Sequence, residues 1–161
     1  MNEQALETPM QNESYSTPEM AAILGISATT IRNWLGRKFF VPSVRKTNVK
    51  KIPHLFSFPD LCRVAIFDKI RSAGVDPDEA AQFVNGLDDW VFDPPVPDDR
   101  DSFFLVTDEE TDEDLAKNGY RFYGPCGEST IRVWAERYEH FQIISMKKML
   151  KRIHEAIREY C

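Results

Sequence analysis

Apolar residues at Met20 and Leu24, and again at Ile31 and Trp34, recur three or four positions apart. That spacing places side chains on one face of a helix. A first helix is predicted from Thr17 to about Leu24, because Thr17-Pro18-Glu19 joins a hydroxyl that caps free amides to a proline tolerated in the first turn. Gly25 supplies the turn, and Ser27 is placed to cap a second helix ending near Gly36. After Phe39-Phe40-Val41-Pro42, residues 43–55 are polar and basic with β-prone flanks, which predicts a hairpin or wing. Ser57 and Pro59 introduce a third helix from about Asp60 to Ala73, buried along Leu61, Val64, Ala65, Ile66 and Ile70 and stopped by Gly74. Asp76-Pro77 starts a fourth, through Ala80, Phe83 and Val84 to about Asn85-Gly86.

The pattern changes after Gly86. Residues 87–102 carry Pro94, Pro95 and Pro97 among acids and read as a linker into a strand at Phe103-Phe104-Leu105-Val106. Tyr120–Tyr123 and Ile131–Ala135 read as two further strands around the turn Gly124-Pro125-Cys126-Gly127. The remainder reads as helix. There Met146, Leu150, Ile153, Ile157 and Tyr160 follow alternating steps of four and three, a short heptad seam that assigns Met146, Leu150, Ile153 and Ile157 to dimerisation. Residues 1–14 are polar and aperiodic, which predicts a disordered tail. The expected architecture is α+β: an amino-terminal module over 15–86 of about four helices with a basic wing, the acidic linker 87–102, and a small α+β domain over 103–161 ending in a helix, for dimerisation or sensing.

Composition adds a core and a division of charge. Apolar residues make up 42% of the 161, enough for a packed interior. The net charge of −6 conceals two opposed regions: residues 15–75 hold ten Lys/Arg against three Asp/Glu, and residues 76–130 hold three against sixteen. The basic region suits a polyanion, whereas the acidic one must face away from it. The run Asp108-Glu109-Glu110-Thr111-Asp112-Glu113-Asp114 reads as a solvated loop or as a contact for a basic partner. No apolar run reaches membrane-spanning length and the first residues lack the order of a signal peptide, so a cytoplasmic protein is expected.

Cys62, Cys126 and Cys161 lie far apart, outside any ligand-pair spacing, which points to reduced structural thiols and no metal. His54, His140 and His154 are scattered. Phosphate-cradling glycine loops, a nucleophile elbow and paired catalytic carboxylates are all missing, so neither an enzyme nor a cofactor is expected. The aromatics of the second half (Trp90, Phe92, Phe103, Phe104, Tyr120, Phe122, Tyr123, Trp134, Tyr138 and Phe141) would line a sensing pocket or fill a small core; strand alternation favours the core.

The residue order from Thr17 to Leu35 carries the chemistry. Two short helices meeting at a steep angle need a small residue, a glycine and apolar positions in sequence, and Ala21, Gly25, Ile31 and Trp34 supply them. Ser27, Thr29, Thr30, Arg32 and Asn33 then face outward near the start of the second helix. Arg32 suits guanine edges, Asn33 adenine edges, and Ser27 and Thr29 phosphate. Arg37, Lys38, Arg45, Lys46, Lys50, Lys51 and His54 extend the cationic surface. Two ordinary core helices with a solvated Arg32 and Asn33 would share the helical pattern, but not the cations that follow.

The runs Tyr15-Ser16-Thr17-Pro18-Glu19-Met20-Ala21-Ala22-Ile23-Leu24-Gly25-Ile26-Ser27, Thr30-Ile31-Arg32-Asn33-Trp34, Val41-Pro42, Phe56-Ser57-Phe58-Pro59-Asp60-Leu61 and Ile70-Arg71-Ser72-Ala73-Gly74-Val75 resemble the amino-terminal domain of MerR regulators. The resemblance covers about 70 residues. It implies a winged helix-turn-helix that binds double-stranded DNA as a homodimer, with the second helix in the major groove and the wing on the backbone. The chain departs from that family in carrying Asn33 where tyrosine is usual, and in a wing built on Lys50, Lys51 and His54. A sequence-specific transcription regulator, with a small-molecule or protein effector, is the expectation. An excisionase-like or terminase-small-subunit-like DNA adaptor and an acidic protein-interaction module are the rivals.

Overall fold

The computed structural model describes residues 14–45, 51–92, 103–107 and 121–160. Among the described residues the protein is α+β, with six α-helices and two small antiparallel sheets. Chain contacts divide it into two units: the described residues up to Ala65 with Ile153–Tyr160, and Ile66–Arg152. Lys46, Lys50, most of the 1–14 tail, residues 93–102 of the linker and the acidic run 108–114 lie outside the described residues.

In the first unit a two-residue strand, β1 (Tyr15–Ser16), pairs antiparallel with β2 (Leu55–Phe56), Tyr15 opposite Phe56. Helix α1 (Thr17–Leu24) follows at once. Its cap is Ser16 and not Thr17, which is buried in the first turn. Glu19 reaches back to accept from the Ser16 amide at 2.7 Å and from its hydroxyl at 2.8 Å. Gly25 ends α1 in the left-handed conformation, φ 67°. After it comes α2 (Ala28–Gly36). Met20, Ile23, Ile31, Trp34, Phe39, Phe40 and Phe56 are buried in this unit, with the Phe40 ring edge-on to Trp34 at 6.3 Å. Of the hairpin expected over 43–55, the described residues show a bridge between Arg45 and Leu55, whose amides and carbonyls exchange bonds of 3.1 and 2.9 Å. Helix α3 (Phe58–Ser72) begins two residues before the expected Asp60.

The second unit contains α4 (Pro77–Asn85), capped as expected by Asp76, whose Oδ1 accepts from the Asp78 amide at 2.9 Å. Its sheet has β3 (Phe103–Thr107) at the centre, between β4 (Arg121–Cys126) and β5 (Gln142–Ser145). On one face Leu105 packs with Cys126, Trp134 and Tyr138, flanked by Phe103, Ile131 and Phe141. Phe104 points the other way, edge-on to Phe83 of α4 at 5.6 Å.

Three expectations fail here. Ile131–Ala135 is not a strand but part of α5 (Glu128–Arg137): Ile131, Trp134 and Tyr138, spaced by three and four, form its covered side. Gly124-Pro125-Cys126 is not a turn; it continues β4, which pairs only with β3 among the described residues, and an edge strand tolerates proline. Gln142–Ser145, expected as helix, is β5, in keeping with its adjacent β-branched Ile143 and Ile144.

Helix α6 (Met146–Tyr160) completes the chain. Its heptad positions are covered within the single chain: Met146, Leu150, Ile153 and Ile157 are 0, 6, 2 and 6% exposed. Core packing within one chain already covers these side chains. Among the described residues, no helix is long and apolar enough to cross a membrane.

Candidate functional site

The α2 segment faces two ways because its apolar residues are three apart. Ile31 and Trp34 turn inward, which leaves Thr29, Arg32 and Asn33, related by steps of three and four, on one exposed side. The helix start is fixed by Ser27, whose Oγ accepts from the Thr30 amide at 3.0 Å and lies 2.7 Å from the Thr30 hydroxyl. Ser27 and Thr30, both expected to contact a ligand, thus spend their hydroxyls on the cap. Thr29, Arg32 and Asn33 are the outward set.

Beyond α2 the chain reverses at Lys38, a non-glycine residue with φ 62°. The Phe39 amide closes the turn on the Trp34 carbonyl at 3.1 Å. Arg37 and Lys38 stand exposed there. Arg45 and Lys51 are also exposed, and His54 is half-buried. Arg45 Nε donates to the Pro53 carbonyl at 3.1 Å, tying the two sides of the segment together. Val44 and Ile52 are exposed apolar neighbours of these cations.

Asp60, read from the sequence only as a helix start, organises this region. Its Oδ2 accepts from the Ser43 hydroxyl at 2.6 Å, the Ser43 amide at 3.0 Å and the Ser57 amide at 3.0 Å. The Ser57 hydroxyl in turn accepts from the Asp60 amide at 3.3 Å. Ser57-Phe58-Pro59-Asp60 is thus a reciprocal cap of the same pattern as Ser16-x-x-Glu19, and that repeat was the available signal. Ser43, by contrast, had none. Residues 15–65 contain eight Lys/Arg and two acids, Glu19 and Asp60. Both acids are engaged with the backbone, and Asp60 also meets Arg63 at 3.6 Å, while Arg32, Arg37, Lys38, Arg45 and Lys51 are exposed.

Other candidate groups serve packing. Burial pushes the Cys62 thiol well up, opposed in part by Arg63, and disfavours the thiolate a reactive cysteine needs. Burial likewise raises Cys126, whose Sγ donates to the Phe103 carbonyl at 3.1 Å. His154 lies against Phe58 with ring centroids 4.7 Å apart; burial, and then the charge of Arg158, lower its pKa. A cavity of about 290 Å³ in the second unit is lined by Ala73, Val75, Val106, Thr107, Glu139, His140, Phe141 and Gln142. Among the described side chains, Phe141 alone represents the expected aromatic set there, while Phe92, Phe104, Trp134 and Tyr138 are buried in packing.

No protein-family model matches the chain, and no curated protein matches it.

Proposed function

We propose that the protein is a sequence-specific DNA-binding transcription regulator whose first unit acts as a MerR-like winged helix-turn-helix. The observation that carries this reading is the exposed side of α2, where Thr29, Arg32 and Asn33 project from a helix held by Ile31 and Trp34 beneath. Arginine pairs with guanine O6 and N7, and asparagine with adenine N6 and N7, so this side offers base contacts near a helix start. Arg37, Lys38, Arg45 and Lys51 offer phosphate contacts on the same unit. The anchoring of Ser43 and Ser57 by Asp60 supports the wing assignment, since a phosphate-contacting loop gains from a fixed base. Two-fold binding belongs to this reading.

The test is Arg32→Ala against a site selected from random duplex by the wild-type chain. Loss of a bidentate base contact weakens binding by about 1 to 3 kcal/mol at the selected site and leaves random duplex nearly unaffected. Equal losses on both duplexes, or no selectable site, defeat the proposal.

A further inference from the structure

Apolar side chains left in water concentrate in one short stretch of the first unit. Among the described residues six large ones are exposed, and three of them, Val41, Val44 and Ile52, fall between positions 41 and 52, whereas Val133, Ile143 and Tyr160 stand apart in sequence. Isolated exposed apolar residues need no explanation, but a group of them does. Val44 is 50% and Ile52 42% exposed, and each has an exposed cation as its chain neighbour, Arg45 and Lys51. No Asp or Glu occurs from Met20 to Pro59, so this stretch supplies no acid of its own to meet those cations. Among the described residues neither Arg45 nor Lys51 forms an ion pair. The backbone beneath is anchored on both sides. Ser43 is held by Asp60 Oδ2, the Val44 amide donates to the Leu55 carbonyl at 3.3 Å, and Arg45 Nε donates at 3.1 Å to the carbonyl of Pro53, the residue after Ile52. Side chains presented from a fixed backbone lose little further freedom when they meet a ligand.

A surface that carries apolar and cationic side chains side by side matches the minor groove of duplex DNA, whose walls are deoxyribose carbons edged by phosphates. We propose that Val44 and Ile52 enter the minor groove and pack on its sugar walls, while Arg45 and Lys51 take the flanking phosphates. The proposal rests on the DNA-binding reading and adds to it, since that reading gives this stretch phosphate contacts alone. Charge complementarity selects the occupant: an apolar partner would leave the cations unused, and phosphates by themselves would leave the apolar pair unused. Contacts of Val44 and Ile52 release no counterions, so they contribute affinity that does not depend on salt.

The experiment uses the full chain and the duplex site it selects from random sequence. Val44→Thr together with Ile52→Thr keeps the β-branched shape and puts hydroxyls where methyl groups were. Its affinity should fall about tenfold, with the slope of log affinity against log salt unchanged, whereas Lys51→Gln should lower that slope by about 0.9. Val44→Leu with Ile52→Leu, which stays apolar, should bind as wild type does. Both positions are exposed, so thermal midpoints of all these variants should match wild type. A second duplex carries 2,6-diaminopurine for every adenine, which adds an amino group to the minor groove and leaves the major-groove N6 and N7 in place. Wild type should lose about tenfold on it, as much as one misfitted group costs an apolar contact, and the threonine variant should lose little more than it already has. A threonine variant that binds like wild type overturns the proposal, and so does an equal loss by both proteins on the diaminopurine duplex. If Arg32→Ala abolishes site preference while the threonine variant binds like wild type, this proposal alone fails; if wild type binds no duplex, both fail.

Discussion

The Ser43 hydroxyl donates to Asp60 Oδ2 at 2.6 Å across seventeen positions of sequence, and the same oxygen accepts from the Ser43 and Ser57 amides. One carboxylate thus holds the chain after Pro42 against the start of α3. Asp60 is 8% exposed, and its loss removes the acceptor shared by the Ser43 hydroxyl and the Ser43 and Ser57 amides. Asp60→Ala should cost about 2 to 4 kcal/mol, a fall in midpoint of roughly 4 to 16 °C for a chain of this size. Asp60→Asn, which keeps one acceptor oxygen, should cost less. Calorimetry of the two variants checks the order, and an alanine variant within 2 °C of wild type removes Asp60 from this role.

Backbone conformation separates two residues that look alike in no other respect. Gly25 at φ 67° has nothing within 4 Å of where a Cβ would lie, so Gly25→Ala meets conformational strain without a clash. Left-handed geometry costs an ordinary residue about 1 to 2 kcal/mol, and the glycine backbone entropy of about 0.5 to 1 kcal/mol offsets part of it, so Gly25→Ala should be destabilised by roughly 0.5 to 1 kcal/mol. Lys38, at φ 62°, already bears the cost. Lys38→Gly removes it and adds about 0.5 to 1 kcal/mol of glycine backbone entropy, for a net gain of roughly 0.5 to 1 kcal/mol. Opposite shifts in denaturant midpoint are the expected result; a destabilised Lys38→Gly would mean that the lysine side chain contributes more than the strain it carries.

Which elements were legible follows from what determined them. α1, α2 and α4 were readable because their limits are local: Gly25 must turn, and Ser27 and Asp76 cap within three residues. α5 and β5 were not, because Ile131 and Ile143 are β-branched alike, and only packing on Leu105 and pairing with β3 separate helix from strand. At the candidate site, the outward set of α2 followed from helical spacing. Ser27 was legible as a cap, whereas the contact of the Thr30 hydroxyl with it was not, because that hydroxyl equally suits phosphate. The Ser43–Asp60 contact is a tertiary event with no periodic trace.

The heptad spacing of α6 reads as an interface between chains, and the same side chains are buried within one chain. Changing both Leu150 and Ile153 to Asp places two charges at positions 6% and 2% exposed. Each buried charge costs several kcal/mol, and together they approach the whole stability of about 5 to 15 kcal/mol. The double variant should lose its cooperative melting transition by circular dichroism. A folded monomer by sedimentation, from a wild-type dimer, would restore the seam to the interface.

His154 sets a pH response of defined sign. Its ring lies against Phe58 at 4.7 Å, and burial, followed by repulsion from Arg158, holds its pKa below the ordinary histidine value. The unfolded chain therefore takes up this proton first as pH falls, so protonation favours unfolding. The stabilising contribution is complete above about pH 6.5, the unperturbed value. It declines as pH drops through that value and levels off below the lowered pKa of the folded state. His154→Gln removes this one titration and leaves the other groups in place. Melting both proteins between pH 8 and pH 5 should show the wild type losing midpoint faster than the variant on the acid side, with the difference constant above neutrality. Curves that run parallel through the whole range would show that the Phe58 contact does not disfavour the charged ring.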